Sequence, residues 1–262
     1  MTETQIRFDD GAGYERMMGV WTRIAGKVFL EWLAPDAGLK WIDIGCGNGA
    51  FTELIVDECA PASVDGIDPS AGQLAFARTR PAARVAQFHL GDAQALPFEA
   101  ARFDAAVMAL VIFFVPDPVR GVAEMVRVTR PGGLVAAYAW DILDGGFPLE
   151  PIYAVMRVQA LPIAHPPSAE ASRLEAMRGL WRGAGLEAIE TREITVQRTF
   201  ASFEDFWTTA LLSAGLRTTL EKTAPAVVDQ LKQAVRAKLS PDAAGRITTS
   251  ARANAVKGYV PK

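Results

Sequence analysis

Cysteine and histidine are scarce in this chain of 262 residues: Cys46, Cys59, His89 and His165 are all it has. Two cysteines cannot build the disulfide framework of a small secreted domain, and a chain this long buries enough core to need none. Their spacing fits no zinc motif, so no metal is expected. Charge of one sign is equally scarce. Lys plus Arg is 27 and Asp plus Glu is 30, a net charge of −3. Without clustered basic residues to displace counterions from phosphate, no nucleic-acid partner is expected. Long apolar runs are missing too. The longest covers residues 105–115 and stops at Pro116-Asp117, well short of the roughly 20 residues that span a bilayer; it reads as a strand buried on both faces. Residues 1–10 are polar and acidic where a signal peptide has a basic start and an apolar run. A cytoplasmic protein with no membrane partner is expected, and the sequence carries no sign of its oligomeric state.

What is present alternates. Apolar residues at helical spacing over 19–32 end near Pro35-Asp36. Short apolar segments at 40–44, 63–67, 84–90, 103–110 and 134–139 read as strands, and 50–58, 70–78 and 119–128 as helices between them. Strands and helices in this order imply βαβ units, an α/β fold and a parallel sheet. Beyond residue 140 the pattern changes. An amphipathic piece at 152–161, a helix over 169–184, a long alternating strand at 187–200, a helical stretch at 203–239 broken by Pro225 and a last strand at 247–260 follow in turn. Three regions result: a helical lead-in (1–35), a Rossmann-like core (36–140), and a lid with a helical insert and closing strands (141–262).

The informative stretch is Ile42-Asp43-Ile44-Gly45-Cys46-Gly47-Asn48-Gly49. A strand running into closely spaced glycines lets the chain turn sharply and lets a ligand rest on bare main chain, while the helix that follows offers free N–H groups. The spacing is G-x-G-x-G and not the G-x-G-x-x-G of dinucleotide sites. Asp68 closes the second strand and suits a pair of ribose hydroxyls. Asp92 closes the third, where its carboxylate can accept from an exocyclic amine and the Ala93 N–H can donate to a ring nitrogen. All three features fall at successive strand ends on one edge of the sheet, where open α/β folds bind ligands.

Four further segments, in order and spacing, extend the pattern: Gly66-Ile67-Asp68-Pro69-Ser70, Gly91-Asp92-Ala93-Gln94-Ala95-Leu96-Pro97-Phe98, Phe103-Asp104, and Arg130-Pro131-Gly132-Gly133, with weaker outer matches at 14–21 and 251–258. Over roughly residues 36–140 the chain resembles the class I S-adenosylmethionine-dependent methyltransferases, in the type 11 group that includes the ubiquinone/menaquinone-biosynthesis enzymes. The resemblance implies a seven-stranded, mostly parallel sheet with an antiparallel last strand. It implies S-adenosylmethionine as cofactor and S-adenosylhomocysteine as product. It assigns Gly45, Cys46, Gly47, Asn48 and Gly49 to the methionine part, Asp68 with Pro69 and Ser70 to the ribose, and Asp92 with Ala93 to the adenine. Leu110 falls near the methyl group, and Tyr14, Met18 and Trp21 close over the cofactor.

The acceptor is less legible. Where many relatives carry His or polar residues after the fourth strand, this chain has Phe113 and Phe114, which suggests an apolar or aromatic small molecule. Phe206 and Trp207 are candidates for the same wall, although core packing explains a stripe at helical spacing equally well. His165, in a Pro-rich loop, is the candidate base; His89 reads as structural. A nicotinamide-dependent oxidoreductase and a non-catalytic partner protein of the same fold are the alternatives. The glycine spacing speaks against the first and the intact loop against the second.

Overall fold

The computed structural model describes Gly13 and residues 15–262. A single π-helical turn, Glu15–Gly19, leads into α1 (Val20–Leu33). The chain then alternates β1 (Lys40–Ile44), α2 (Ala50–Cys59), β2 (Ser63–Asp68), α3 (Ala71–Ala77), β3 (Ala86–Leu90), β4 (Phe103–Ala109), α4 (Pro118–Val128) and β5 (Thr129–Trp140). After α5 (Glu150–Val158) and α6 (Leu174–Gly183) come β6 (Glu187–Phe200), three helices, α7 (Phe203–Ala210), α8 (Ala214–Glu221) and α9 (Pro225–Lys238), and β7 (Ile247–Tyr259).

The seven strands form one sheet in the order β3-β2-β1-β4-β5-β7-β6. β7 runs antiparallel to both its neighbours, and the other pairs are parallel. The order reverses between β1 and β4, which puts the switch point at their carboxyl ends. Helices cover both faces, so β4 and β5 are apolar almost throughout, as buried parallel strands require. Packing of α1 and α2 onto the sheet is aromatic: Phe29 lies 4.7 Å and Phe51 5.7 Å from the Tyr138 ring. The buried Tyr138 hydroxyl donates to the Thr22 carbonyl at 3.3 Å, and the Trp181 indole N–H to the Val135 carbonyl at 2.9 Å. Two large aromatics are thus buried with their polar atoms satisfied.

Three expectations need correction. The apolar run at 105–115 is not one strand. β4 stops at Ala109, Leu110 turns into the left-handed region (φ 63°), and Ile112–Phe114 is a 3-10 turn. Apolar composition cannot separate a buried strand from a buried turn that follows it. The fifth strand starts at Thr129 and not at 134, with Pro131-Gly132-Gly133 as a bulge inside it, because β4 pairs Phe103 with Thr129 and then Ala105 with Leu134. The helix over 169–184 is a 3-10 turn, Ala169–Ser172, followed by α6, with Arg173 extended between them. Elsewhere the expected strands and helices lie where the periodicity puts them, to within two residues at most ends. No helix among the described residues is long and apolar enough to cross a membrane.

Candidate functional site

β1 delivers the chain to the glycine loop, and β2 fixes it there. Gly45 and Cys46 both donate their N–H to the Ile67 carbonyl, at 2.7 and 3.1 Å. Gly45, Gly47 and Gly49 all have positive φ (74°, 53° and 79°). At Gly45 glycine is required twice over: a Cβ would lie 2.5 Å from both Val111 methyl carbons. Val111 therefore sits directly on the loop, and Leu110 stands beside it with its N–H donated to the Tyr138 carbonyl at 2.8 Å. A Cβ on Gly47 would meet only the Gly45 carbonyl, at 4.0 Å, so bare main chain borders open space.

Two carboxylates support this loop. The first oxygen of Asp68 accepts from the Ser70 N–H at 2.8 Å and the second from the Gly47 N–H at 2.9 Å. Each oxygen keeps a lone pair for a further donor. Burial raises the Asp68 pKa, and the two backbone hydrogen bonds oppose the rise. Asp43 is fully buried beneath the loop. One oxygen accepts from the Thr52 hydroxyl at 2.6 Å, and the other has no partner among the described residues. Burial pushes Asp43 up to about 7, the Thr52 bond opposing and the nearby Asp68 charge adding to the rise. Cys46 is buried, and burial pushes its thiol well up, so it is an inert packing residue. Asp92 is exposed after β3, with its carboxylate accepting from the Gln94 N–H at 2.8 Å; Ala93 beside it is half-buried.

The lead-in clamps the far side of the loop through charges. Glu15 accepts from Arg23 at 3.0 Å, from the Asn48 amide at 2.9 Å, and from Arg80. Arg80, only 8% exposed, also donates to the Asn48 carbonyl (2.6 Å) and to Glu53 (2.9 Å). Burial acts to raise the Glu15 pKa, but the Arg80 charge, with hydrogen bonds from Arg80, Asn48 and Arg23, holds it below the usual range. Tyr14 lies outside the described residues. Met18 and Trp21 are buried, and Trp21 meets Trp140 edge-on at 6.1 Å.

Beyond Leu110 a cavity opens, with about 720 Å³ of empty space when the open solvent at its mouth is included. Phe113, Phe114, Trp140 and Phe147 form much of its wall, with Met17 and Met18 from the lead-in. Its polar groups are those of Tyr153, Ser213, the exposed His165 and the Trp140 indole N–H, which is buried with no partner among the described residues; none of the described lining residues is Asp, Glu, Lys or Arg. Phe206 faces a smaller cavity that it shares with Met17, Met18 and Trp21. Trp207 is in neither: it stacks on Phe203 at 6.1 Å beneath Lys232. A buried stripe was legible there, but not which cavity it faced. His89 pairs with the buried Asp65 at 2.6 Å, away from the loop, as a structural histidine does. No three His, Cys, Asp or Glu side chains among the described residues converge to hold a metal. Sequence reasoning missed Asp43, Glu15, Arg80, Tyr153 and Ser213. Asp43 carried a signal, an acid within an otherwise apolar strand; the rest are joined only by the tertiary fold.

Residues 42–137, glycine loop and both following strand ends included, match the family model described as "Methyltransferase domain". That stretch is similar to a methyltransferase domain over 96 of the chain's 262 residues. A demethylmenaquinone methyltransferase of Renibacterium salmoninarum is 34% identical over 142 residues, 54% of this chain and 57% of that protein. A chloroplastic 2-methyl-6-phytyl-1,4-hydroquinone methyltransferase of Oryza sativa subsp. japonica is 41% identical over 96 residues, 37% of this chain and 28% of that protein. The chain thus spans between about a quarter and just over half the length of these curated relatives. Among solved structures, a Haemonchus contortus phosphoethanolamine N-methyltransferase in complex with S-adenosyl-L-methionine superposes with a TM-score of 0.59 at 20% identity, covering 95% of this chain and 56% of that one. At that identity the likeness concerns the fold. The match runs from within β1 to within β5; α5 to α9 and β6–β7 lie beyond the matched residues.

Proposed function

We propose that the chain is an S-adenosylmethionine-dependent methyltransferase acting on a small molecule with an apolar or aromatic body. The observation that carries this reading is adjacency. The glycine loop with its two acids, and the apolar cavity, meet at Leu110 and Val111. The residues present fit the cofactor. Bare main chain at Gly47 admits it, the unpartnered Asp43 oxygen suits a cationic donor near the loop, and Asp68 retains acceptor capacity for a diol.

The Gly45–Gly49 loop takes the methionine part, Asp68 with Pro69 and Ser70 the ribose, and Asp92 with Ala93 the adenine. Met18 and Trp21 cover it from the lead-in. When bound, S-adenosylmethionine supplies a methyl on a sulfonium, which leaves by in-line displacement to give neutral S-adenosylhomocysteine. The task of the chain is then to align the acceptor and keep water out. Phe113 and Phe114, with ring centroids 4.6 Å apart, and Trp140 supply the dry wall. A proton acceptor is needed only when the acceptor arrives protonated, and His165 at the cavity wall takes that role.

The division into lead-in (1–35), cofactor core (36–140) and acceptor-side lid (141–262) belongs to this proposal, as do a cytoplasmic setting and the absence of nucleic-acid and membrane partners. The near-neutral charge balance and the buried thiols of Cys46 and Cys59 support it. The test is release of S-adenosylhomocysteine from S-adenosylmethionine across a panel of hydroxy-, amino- and thiol-bearing aromatics. Turnover above the acceptor-free background is expected. Cofactor binding without turnover on any acceptor would favour the non-catalytic alternative.

A further inference from the structure

One turn of the lead-in touches both halves of the site. The π-helical turn Glu15–Gly19 presents Glu15 to the glycine loop. One carboxylate oxygen accepts from the Asn48 amide at 2.9 Å and from Arg80, and the other from Arg23 at 3.0 Å. Met17 and Met18, in the same turn, are buried and line the acceptor cavity with Leu110. From the other side Arg198 on β6 donates to the Met17 and Arg16 carbonyls at 2.9 and 3.1 Å. The turn is thus held by the loop at one end and by the closing sheet at the other. Single π-helical turns concentrate at functional sites.

Asn48 belongs to the frame of the loop. It is 1% exposed, its side-chain oxygen accepts from the Ala50 N–H at 3.2 Å, and its carbonyl accepts from Arg80 at 2.6 Å. Glu15 and Glu53 each meet both Arg23 and Arg80, so withdrawing Glu15 leaves both cations to Glu53. Asn48 and Arg80 therefore feel any shift of Glu15 together. Gly19 shows how closely that carboxylate is folded back. Its backbone is ordinary helix (φ −57°), which does not demand glycine. Space does: a Cβ would lie 2.5 Å from one Glu15 carboxylate oxygen and 2.7 Å from the carboxylate carbon.

We propose that Glu15 is a positioning residue that couples the two sites: a ligand on the Gly45–Gly49 loop tightens the turn, and the turn sets the Met17–Met18 wall of the acceptor cavity. The inference rests on the methyltransferase reading, which supplies the ligand. Glu15 acts through Asn48 and Arg80 and takes no part in the chemistry. A ligand shifts the turn only as far as it prefers the docked state, so its effect on the turn and the effect of the turn on its affinity are equal in size.

The test measures both effects in the full-length protein. Hydrogen exchange over residues 15–22 is followed with and without saturating S-adenosylhomocysteine, and the affinity of that ligand is measured by calorimetry, in the wild type, Glu15→Gln and Gly19→Ala. In the wild type the ligand should slow exchange about tenfold, the low end for a hydrogen bond to a charged group. Glu15→Gln should abolish the slowing and weaken the ligand by the same factor. Gly19→Ala should do likewise with the charge retained, because its methyl displaces the carboxylate. Alanine is the better helix former, so in this variant the coupling should go without a matching fall in Tm. A merely structural Glu15 would cost stability and leave the effect of the ligand on exchange intact.

Binding that leaves exchange over residues 15–22 unchanged in the wild type would overturn the proposal and spare the methyltransferase reading. Slowing that persists in either variant, or unequal factors for exchange and affinity, would overturn it too. Wild-type protein that does not bind S-adenosylhomocysteine would sink both.

Discussion

Alanine at position 45 would place a methyl carbon where Val111 already sits. Two costs add. The left-handed backbone (φ 74°) charges any residue with a Cβ about 1–2 kcal/mol. The two 2.5 Å contacts with the Val111 methyl carbons amount to overpacking at about 1–3 kcal/mol. A loss near 3 kcal/mol in Gly45→Ala should lower Tm by roughly 6–12 °C in a protein of this size. The costs can be separated. Val111→Ala removes both 2.5 Å contacts and leaves its own Cβ at 3.0 Å. The double variant should therefore recover most of the steric term and none of the backbone term. Urea denaturation of the four proteins gives the cycle directly, with a favourable coupling of about 1–2 kcal/mol expected. Costs that simply add, within about 0.5 kcal/mol, would refute the claim that Val111 sets the approach to the loop.

The remaining predictions concern charge. Asp43 holds a proton in the folded protein up to about pH 7, whereas in the unfolded chain it ionises near 4. Its contribution is therefore fully present below pH 4 and lost as pH rises through 7. Between pH 5 and 8 the protein should lose about 2–3 kcal/mol by this route, and Asp43→Asn should flatten that slope in urea midpoints; a slope unchanged in the variant would contradict the assignment. Carboxylates held low, Glu15 and Asp104 among them, titrate below that window and do not mask it. Arg80→Met removes the buried partner of Glu53 and Glu15 and leaves both only the more exposed Arg23; removing one partner of a buried pair costs about 3–5 kcal/mol, and the surviving Arg23 pairs argue for the lower end by thermal unfolding. His165→Ala should slow transfer to phenolic acceptors by about a hundredfold, the low end for a positioned base, and leave cofactor affinity unchanged by calorimetry.

Much of the core was legible because local and global demands agree there. The five strands from Lys40 to Trp140 are apolar runs punctuated by Gly, Pro and Asp, and a parallel sheet covered on both faces demands that composition. Asp68 could be placed at a strand end from spacing alone. Its two backbone donors could not, because they depend on how the loop closes over β2. Residues 110–115 misled for a physical reason: a strand and the buried turn after it are equally apolar, and only the positive φ of Leu110 separates them. The acceptor cavity was the least legible part. Tyr153 and Ser213 are 60 positions apart in sequence, and no periodicity relates a side chain on α5 to the cap of α8. The Glu15–Arg80 clamp escaped for the same reason, since a charge 65 positions away reads as solvated surface.

The central claim is that the loop between β1 and α2 and the acid ending β2 hold an adenosyl cofactor. Calorimetric titration of the purified protein with S-adenosylmethionine, S-adenosylhomocysteine and NADH, repeated on Asp68→Ala, tests it most directly. Binding of both adenosyl ligands, weakened by about ten- to a hundredfold in the variant as expected for lost hydrogen bonds to a charged acceptor, with no heat from NADH, is the predicted result. Folded wild-type protein that binds neither adenosyl ligand, or that binds NADH in their place, would contradict the account.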